Sequence, residues 1–259
     1  MTQKKADIPQ FPMVIELPQV DSTNNYALSQ IREGLAYHGM GVFAHEQLAG
    51  KGQRGKKWVT APGQNIHLSL IMAPKSLELD HLFALSAMIA VETRAFLADL
   101  APGNWFIKWP NDIYFQDRKA VGMLIENIIT GQKWKWAVAG IGVNINQDHF
   151  PEELKQAVSL KQVTGKSYDC LKLANGLAER VFKRLADFEA GLERSVAVTL
   201  EQYNRFLFKR GEQTVFRDEA GTIFNAGVKA VNADGKLLLD GAPRRVYEYG
   251  ELSWLLDRK

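Results

Sequence analysis

Cysteine is nearly absent from this sequence. Cys170 is the one residue of its kind among 259, so no intramolecular disulfide and no cysteine-built zinc site can form, and a reducing cytoplasm fits. Histidine is scarce too: His38, His45, His67, His81 and His149 are scattered without ligand spacing, so they read as surface or core residues and no zinc is assigned. No stretch reads as long and apolar enough to span a bilayer. At the N-terminus Asp7, Pro9, Pro12 and Glu16 interrupt any apolar run, which excludes a signal peptide. Internal repeats and low-complexity segments are missing, and a net charge of +3 is too small to mark a nucleic-acid protein by itself.

What is present is the make-up of a globular chain, 46% hydrophobic and 24% charged. The length allows one large domain and a small one. Met13 to Leu17 reads as a strand, Asp21-Ser22-Thr23-Asn24 offers helix caps before a helix through Tyr26, Leu28 and Ile31, and Gly41 to Ala44 and Asn65 to Met72 read as further strands. Leu79 to Leu100 is a long helix ended by Ala101-Pro102-Gly103. Trp105 to Trp109, Ala120 to Ile129 and Trp134 to Ile145 are β-rich and separated by turns, which predicts an antiparallel meander. Leu171 to Leu192 predicts a second long helix, with helical turns from Leu200 to Phe208. Beyond Glu212, short strand-like pieces alternate with Asp-Glu-Ala-Gly and Asn-Ala-Asp-Gly turns, the pattern of a small β-barrel. The expectation is an α+β chain with a mixed sheet, divided near Arg210 into a domain over 1–210 and a smaller one over 211–259.

Gly50-Lys51-Gly52-Gln53-Arg54-Gly55-Lys56-Lys57-Trp58 matches two phosphate motifs on paper. G-x-G-x-x-G must open a helix, and Val59-Thr60-Ala61-Pro62-Gly63 is a poor helix start. G-x-x-x-x-G-K needs a following Ser or Thr for magnesium, and Lys57 stands there. What remains is a strand-to-strand loop whose glycines allow close backbone approach and whose Lys51, Arg54, Lys56 and Lys57 can face phosphate oxygens. A solvated basic loop is the bland reading of the same residues. Lys108-Trp109-Pro110-Asn111-Asp112 is a turn sequence that could be structural alone. Its lysine, however, ends an apolar strand, where an ammonium is costly unless an anionic ligand or a carboxylate neutralises it.

Asp21-Ser22-Thr23-Asn24, Glu46 to Trp58, Lys108 to Asp112 and Gly140-Ile141-Gly142-Val143-Asn144 stand in the order and spacing of the biotin protein ligases, and from Met13 onward the sequence resembles that family. The resemblance implies a catalytic core like that of class II aminoacyl-tRNA synthetases, a mixed sheet flanked by helices, with a small SH3-like C-terminal barrel. It implies ATP-dependent activation of biotin to biotinyl-5'-AMP and transfer to a lysine of the biotin carboxyl carrier protein of a carboxylase, with Mg2+ shielding the triphosphate. Too few residues precede the first strand for the DNA-binding domain that some members carry, so the ligase-only type without DNA binding is expected.

Carried over by motif, Ser22, Thr23 and Asn24 meet the ureido end of biotin, and Gln47, Lys51, Gly52, Gln53 and Lys108 line the rest of it. Arg54, Lys56, Trp58, Asn111 and Asn144 meet ATP or the adenylate. Lys108 and Arg54 are the expected catalytic pair, Lys108 as electrostatic stabiliser and Arg54 on the phosphates. Magnesium ligands are not assigned. Gln53 departs from the arginine of many relatives and leaves the loop one cation fewer. A lipoate or octanoate ligase is the rival within the superfamily, and an RNA-binding module using the basic loop is the rival outside it. Whether residues Tyr247 to Trp254 reach ATP stays open, as does a homodimer paired through a sheet edge.

Overall fold

The computed structural model describes residues 12–256; the N-terminal segment read above as no signal peptide lies, up to residue 11, outside the described residues. Seven strands form one sheet: β1 (Met13–Val20), β2 (Met40–Gln47), β3 (Asn65–Met72), β4 (Trp105–Lys108), β5 (Asp112–Phe115), β6 (Arg118–Thr130) and β7 (Lys133–Asn144). Their order is β1-β2-β3-β7-β6-β5-β4. β1 and β2 run parallel, and every other neighbouring pair is antiparallel, so the sheet is mixed. The meander contains one strand more than expected, because Asp112–Phe115 pairs with both β4 and β6. Four residues between two turns are too short to show a period of their own.

The helices are α1 (Thr23–Arg32), α2 (Leu82–Leu100), α3 (Leu160–Thr164), α4 (Cys170–Ala190) and α5 (Leu192–Arg205). α5 begins well before the turns expected from Leu200, with Gly191 standing between it and α4. Among the described residues, 79–100 departs from the expectation of no bilayer-length apolar stretch, since it is 22 residues long with mean hydropathy 1.3. It carries Leu85, Met88, Ile89 and Leu97 into the main core, at most 1% exposed.

Alternation along β3 and β7 decides where a ligand can lie. Ile66, Leu68, Leu70 and Met72, with Ala137, Ala139, Ile141 and Val143, belong to the main core beneath α2 and α4. Ile71 and Val138 face the other way and pack with Ala27 of α1. Farther along that second face stand His67, Ser69, Gly140 and Gly142, where α1 reaches only with its first residues, Thr23 and Asn24, against Ser69 and Gly140. A strand buried on both faces thus presents a small, polar floor at one end.

After α5 the chain joins the sheet edge: Ile107 donates to Phe206 O at 2.7 Å and Phe208 donates to Ile107 O at 2.9 Å. It then builds a second, antiparallel sheet from β8 (Gln213–Asp218), β9 (Ile223–Val231), β10 (Leu237–Asp240), β11 (Val246–Tyr247) and β12 (Leu252–Trp254), in the order β11-β10-β9-β8-β12. β12 is another strand too short to have been read from sequence. Asn204 docks this module on α5, donating to Val231 O at 2.9 Å and accepting from Val231 N at 2.7 Å. Asn204→Ala leaves both Val231 groups unpaired and is expected to lower stability by about 1–3 kcal/mol, measured by urea unfolding; a wild-type midpoint would show that docking does not depend on this amide.

Candidate active site

The polar floor opens into a cavity of about 530 Å³. Every residue expected at the site from sequence lines it: Ser22, Thr23, Asn24, Gln47, Lys51, Gly52, Gln53, Arg54, Lys56, Trp58, Lys108, Asn111 and Asn144. Residues that the sequence reading did not assign also line it, notably His67, Asp112, Lys119, Gly122, Tyr249, Gly250 and Trp254.

One end is lined by uncharged hydrogen-bonding groups at the start of α1. Ser22 occupies the N-cap position but makes no side-chain cap bond, so the capping alternative does not use its hydroxyl. Gln47 Oε1 accepts from Thr23 N at 2.9 Å and from Thr23 Oγ1 at 3.1 Å, which leaves the Gln47 amide NH2 for the cavity. Ser69 Oγ lies 2.8 Å from Thr23 Oγ1 and 2.6 Å from Asn24 Oδ1. Asn24 Nδ2 donates to Glu126 Oε2 at 2.7 Å, so the Asn24 amide is oriented from both ends. Gly140 makes room for this amide, since a Cβ there would overlap Asn24 Oδ1. His67 closes the back. Its Nδ1 faces Ala44 O at 3.0 Å and its Nε2 faces Thr60 Oγ1 at 2.7 Å, while burial holds its pKa below the usual imidazole range. A neutral ring donating from Nδ1 satisfies both partners.

The other end collects cations. The β4–β5 turn carries Lys108 and Asp112 as direct cross-strand partners, and the Trp109–Pro110 peptide between them is cis. The turn is held by Tyr203 Oη, which donates to Pro110 O at 2.8 Å, and by the Asn111 side-chain amide, which donates to Met123 O. Asp112 nevertheless pairs with Lys119, 2.7 Å away. Among the described residues no carboxylate lies within 4.0 Å of Lys108. Its ammonium sits instead over the rings of Trp254 and Tyr114, at 5.2 and 5.5 Å. Burial pulls the Lys108 pKa down to about 8 against the pull of Asp112, and Lys119 and Lys56 push the same way as burial.

Between the two ends lies the glycine-rich loop. Gly122 and Gly142 face each other across β6 and β7, and the Trp58 indole lies flat on both: a Cβ at Gly142 would fall 2.5 Å from the ring and one at Gly122 2.9 Å. The loop is tied to itself by Gly52 N to Lys56 O at 2.7 Å and Trp58 N to Gly50 O at 2.9 Å, around a short 3-10 turn over Gln53–Gly55. Gly50 is required, because a side chain there would strike the Trp58 carbonyl. Lys51 donates to Asn25 Oδ1, and the exposed Lys56 faces the same side as Lys108 and Lys119. Asn144 Nδ2 donates to Lys119 O at 3.4 Å. Lys119 escaped the sequence reading because it follows Asp117-Arg118, which looks like an ordinary charged turn. Its main chain is gripped from both sides, by Gln156 O at 2.7 Å and Val158 N at 2.9 Å.

A cavity that is neutral and hydrogen-bonding at one end and cationic at the other fits a ligand with an uncharged polar head, a carboxylate and a polyphosphate. The comparisons point the same way. The model of the biotin/lipoate A/B protein ligase family matches residues 16–144. The bifunctional ligase/repressor BirA of Salmonella typhimurium is 31% identical over 236 residues, covering 88% of this chain and 69% of that protein. The biotin--[acetyl-CoA-carboxylase] ligase of Paracoccus denitrificans is 35% identical over 130 residues, half of this chain and 53% of that one. The biotin protein ligase of Aquifex aeolicus, solved in complex with biotin and ATP, superposes with a TM-score of 0.77 at 26% identity, over 94% of this chain and 99% of that one. With that breadth of similarity and this arrangement of groups, the chain belongs to the biotin protein ligase family.

Proposed function

We propose that the cavity carries out the family's reaction through the groups described: biotin and ATP bind side by side, biotinyl-5'-AMP and pyrophosphate form, and the biotinyl group passes to a lysine of a carrier protein. Lys108 is the observation that carries the reading. A largely buried ammonium with no carboxylate within 4.0 Å gains most from an anion that a ligand supplies.

In the first step a biotin carboxylate oxygen attacks the α-phosphorus, the mixed anhydride bond forms, and pyrophosphate leaves. Ser22, Thr23, Asn24 and Gln47 hold the ureido end, whose N–H and carbonyl groups need both acceptors and donors. Lys51, Gly52 and Gln53 flank the chain and its carboxylate. Lys108 stabilises the charge that builds at the reacting phosphate, with Lys119 and Lys56 beside it. Trp58, Asn111 and Asn144 border the nucleoside. Arg54 was expected on the phosphates, and two of its donors are already engaged by the carbonyls of Gly250 and Tyr249. In the second step the neutral amine of the carrier lysine attacks the acyl carbon, AMP leaves, and the amine gives up a proton as the amide forms. The carrier domain of an acetyl-CoA carboxylase, the substrate named for the Paracoccus relative, is the protein partner we assign.

Asp112 is the one carboxylate among the cavity-lining residues, and among the described residues there is no cluster of three metal-ligating side chains. A protein-built magnesium site does not fit, so the ion would be held by the triphosphate and water, as magnesium commonly is.

Lys108→Ala is expected to slow biotin-dependent exchange of pyrophosphate into ATP roughly a hundred- to a thousandfold with an unchanged circular dichroism spectrum; wild-type exchange in the folded variant would remove Lys108 from the reaction. The pH dependence follows from its lowered pKa. Below about 8 the ammonium is charged in the free protein, and above it the charge is lost, so affinity for biotin with ATP should fall as pH rises through that value. In Lys108→Arg, which keeps its charge, the fall should vanish even where turnover is poor. The charge also costs stability without ligand: from about 8 to 10.5 the unfolded chain holds a proton that the folded chain does not, so this group adds stability as pH rises. Lys108→Met should accordingly raise the urea midpoint of the ligand-free protein at pH 7 while losing exchange activity; a lowered midpoint would show that Lys108 is already compensated.

A further inference from the structure

Arg54 sits at the tip of the glycine-rich loop with a left-handed backbone (φ 52°, ψ 44°), followed by Gly55 at φ 74°. That conformation is uncommon for a residue with a Cβ, and here it aims the guanidinium away from the loop's own turn. The target is the C-terminal module. Nη1 donates to Gly250 O at 3.0 Å, Nη2 donates to Tyr249 O at 3.3 Å, and the Tyr249 ring lies 5.3 Å from the guanidinium carbon. The fit depends on Gly250, because a Cβ built there would overlap the guanidinium. Tyr249 in turn packs edge-on against Trp109, centroids 5.9 Å apart, and Trp109 Nε1 donates to Gly235 O at 2.8 Å. The segment 249–250 therefore touches the loop through Arg54 and the Lys108 turn through Trp109.

We propose that Arg54 is a positioning residue: it latches the glycine-rich loop to residues 249–250, and the C-terminal module thereby sets how readily the loop opens over the cavity. The guanidinium fork spans two successive carbonyls, which a lysine ammonium at the same place could not do with the same geometry. Because Trp58 is carried by the same loop and lies on the Gly122–Gly142 floor, lifting the loop uncovers that floor, and the latch resists the lift. The kinetic consequence rests on the ligase reading. The latch itself does not, since it exists without substrate.

Hydrogen exchange of the ligand-free, full-length chain tests it. The amides of Gly52, Lys56 and Trp58 are bonded within the loop, so their exchange reports its opening. Arg54→Ala should speed their exchange by about tenfold or more, the population shift that losing a hydrogen bond from a charged donor produces, and Arg54→Lys should behave alike. Tyr249→Leu should speed it by a smaller factor, about two- to fivefold, because only the ring beneath the guanidinium is lost. Gly250→Ala, which leaves Arg54 intact but displaces it, should match Arg54→Ala. Exchange in the β6–β7 hairpin serves as the reference for an intact fold. Should the three loop amides exchange at the wild-type rate in the folded Arg54 and Tyr249 variants, with only KM for ATP raised, Arg54 is a phosphate ligand and the latch is overturned. If the wild-type chain showed no biotin-dependent pyrophosphate exchange, the ligase reading would fail while the hydrogen-exchange result still decided the latch.

Discussion

Asp112 stands across the β4–β5 ladder from Lys108, yet its carboxylate is bound 2.7 Å from Lys119. Two lysines thus share one anion, and much of the site's arrangement follows from that shortage. The unneutralised charge falls on Lys108, whose surroundings include the faces of Tyr114 and Trp254; ring faces ease an ammonium's desolvation without quenching its charge. Had Asp112 paired with Lys108, the cavity would carry a satisfied ion pair and a more hydrated Lys119, and it would have less reason to gather phosphate. Burial lowers the Lys108 pKa despite the pull of Asp112, with Lys119 and Lys56 adding to the effect of burial. Tyr203, fully buried and bonded to Pro110 O, holds the turn at this spacing.

A charged site of this kind needs a rigid floor, and the floor is a property of strand alternation. β7 reads Ala-Val-Ala-Gly-Ile-Gly-Val-Asn over 137–144. Ala137, Ala139, Ile141 and Val143 enter the core under α2 and α4, while Val138 packs with Ala27 on the opposite face, which Gly140, Gly142 and Asn144 continue toward the cavity. Glycine within a strand costs stability through lost packing and chain entropy. Here each glycine admits a specific neighbour: Asn24 at Gly140 and Trp58 at Gly142. The same substitution of a methyl for a hydrogen that would be neutral elsewhere would push out the amide that lies against the cavity's neutral end or the indole that covers its middle.

Much of this could be read from the amino acids. Alternation marked β3, β-rich composition between turns marked β6, β7 and β9, and apolar content ended by Ala-Pro-Gly marked α2, while the costly position of Lys108 at the end of an apolar strand pointed to an anion. What could not be read were β5 and β12, whose lengths of four and three residues carry no period. Lys119 was illegible for a different reason. A lysine after Asp-Arg looks like solvent-facing charge, and only the pairing of residues 156–158 beside it shows that its main chain is fixed. Tyr249 and Gly250 meet Arg54 across 195 and 196 positions, and Trp254 meets Lys108 from the same module, contacts to which no local pattern corresponds. The bilayer-length apolar helix at 79–100 shows the converse, a local pattern explained by burial against the core.

The C-terminal module places an aromatic ring against Lys108 through Trp254 and carbonyls against Arg54 through Tyr249 and Gly250. It thereby touches both groups that the sequence had singled out as the catalytic pair, and it treats them oppositely. Against Lys108 it offers a π-face, which leaves the charge available to a ligand. Against Arg54 it offers hydrogen-bond acceptors, which consume donor capacity. A cation meant to receive phosphate gains from the first environment and loses from the second, because any phosphate oxygen must compete with carbonyls already in place. The two residues are therefore unequal partners: Lys108 is held ready for an anion, and Arg54 is committed to joining two parts of the chain.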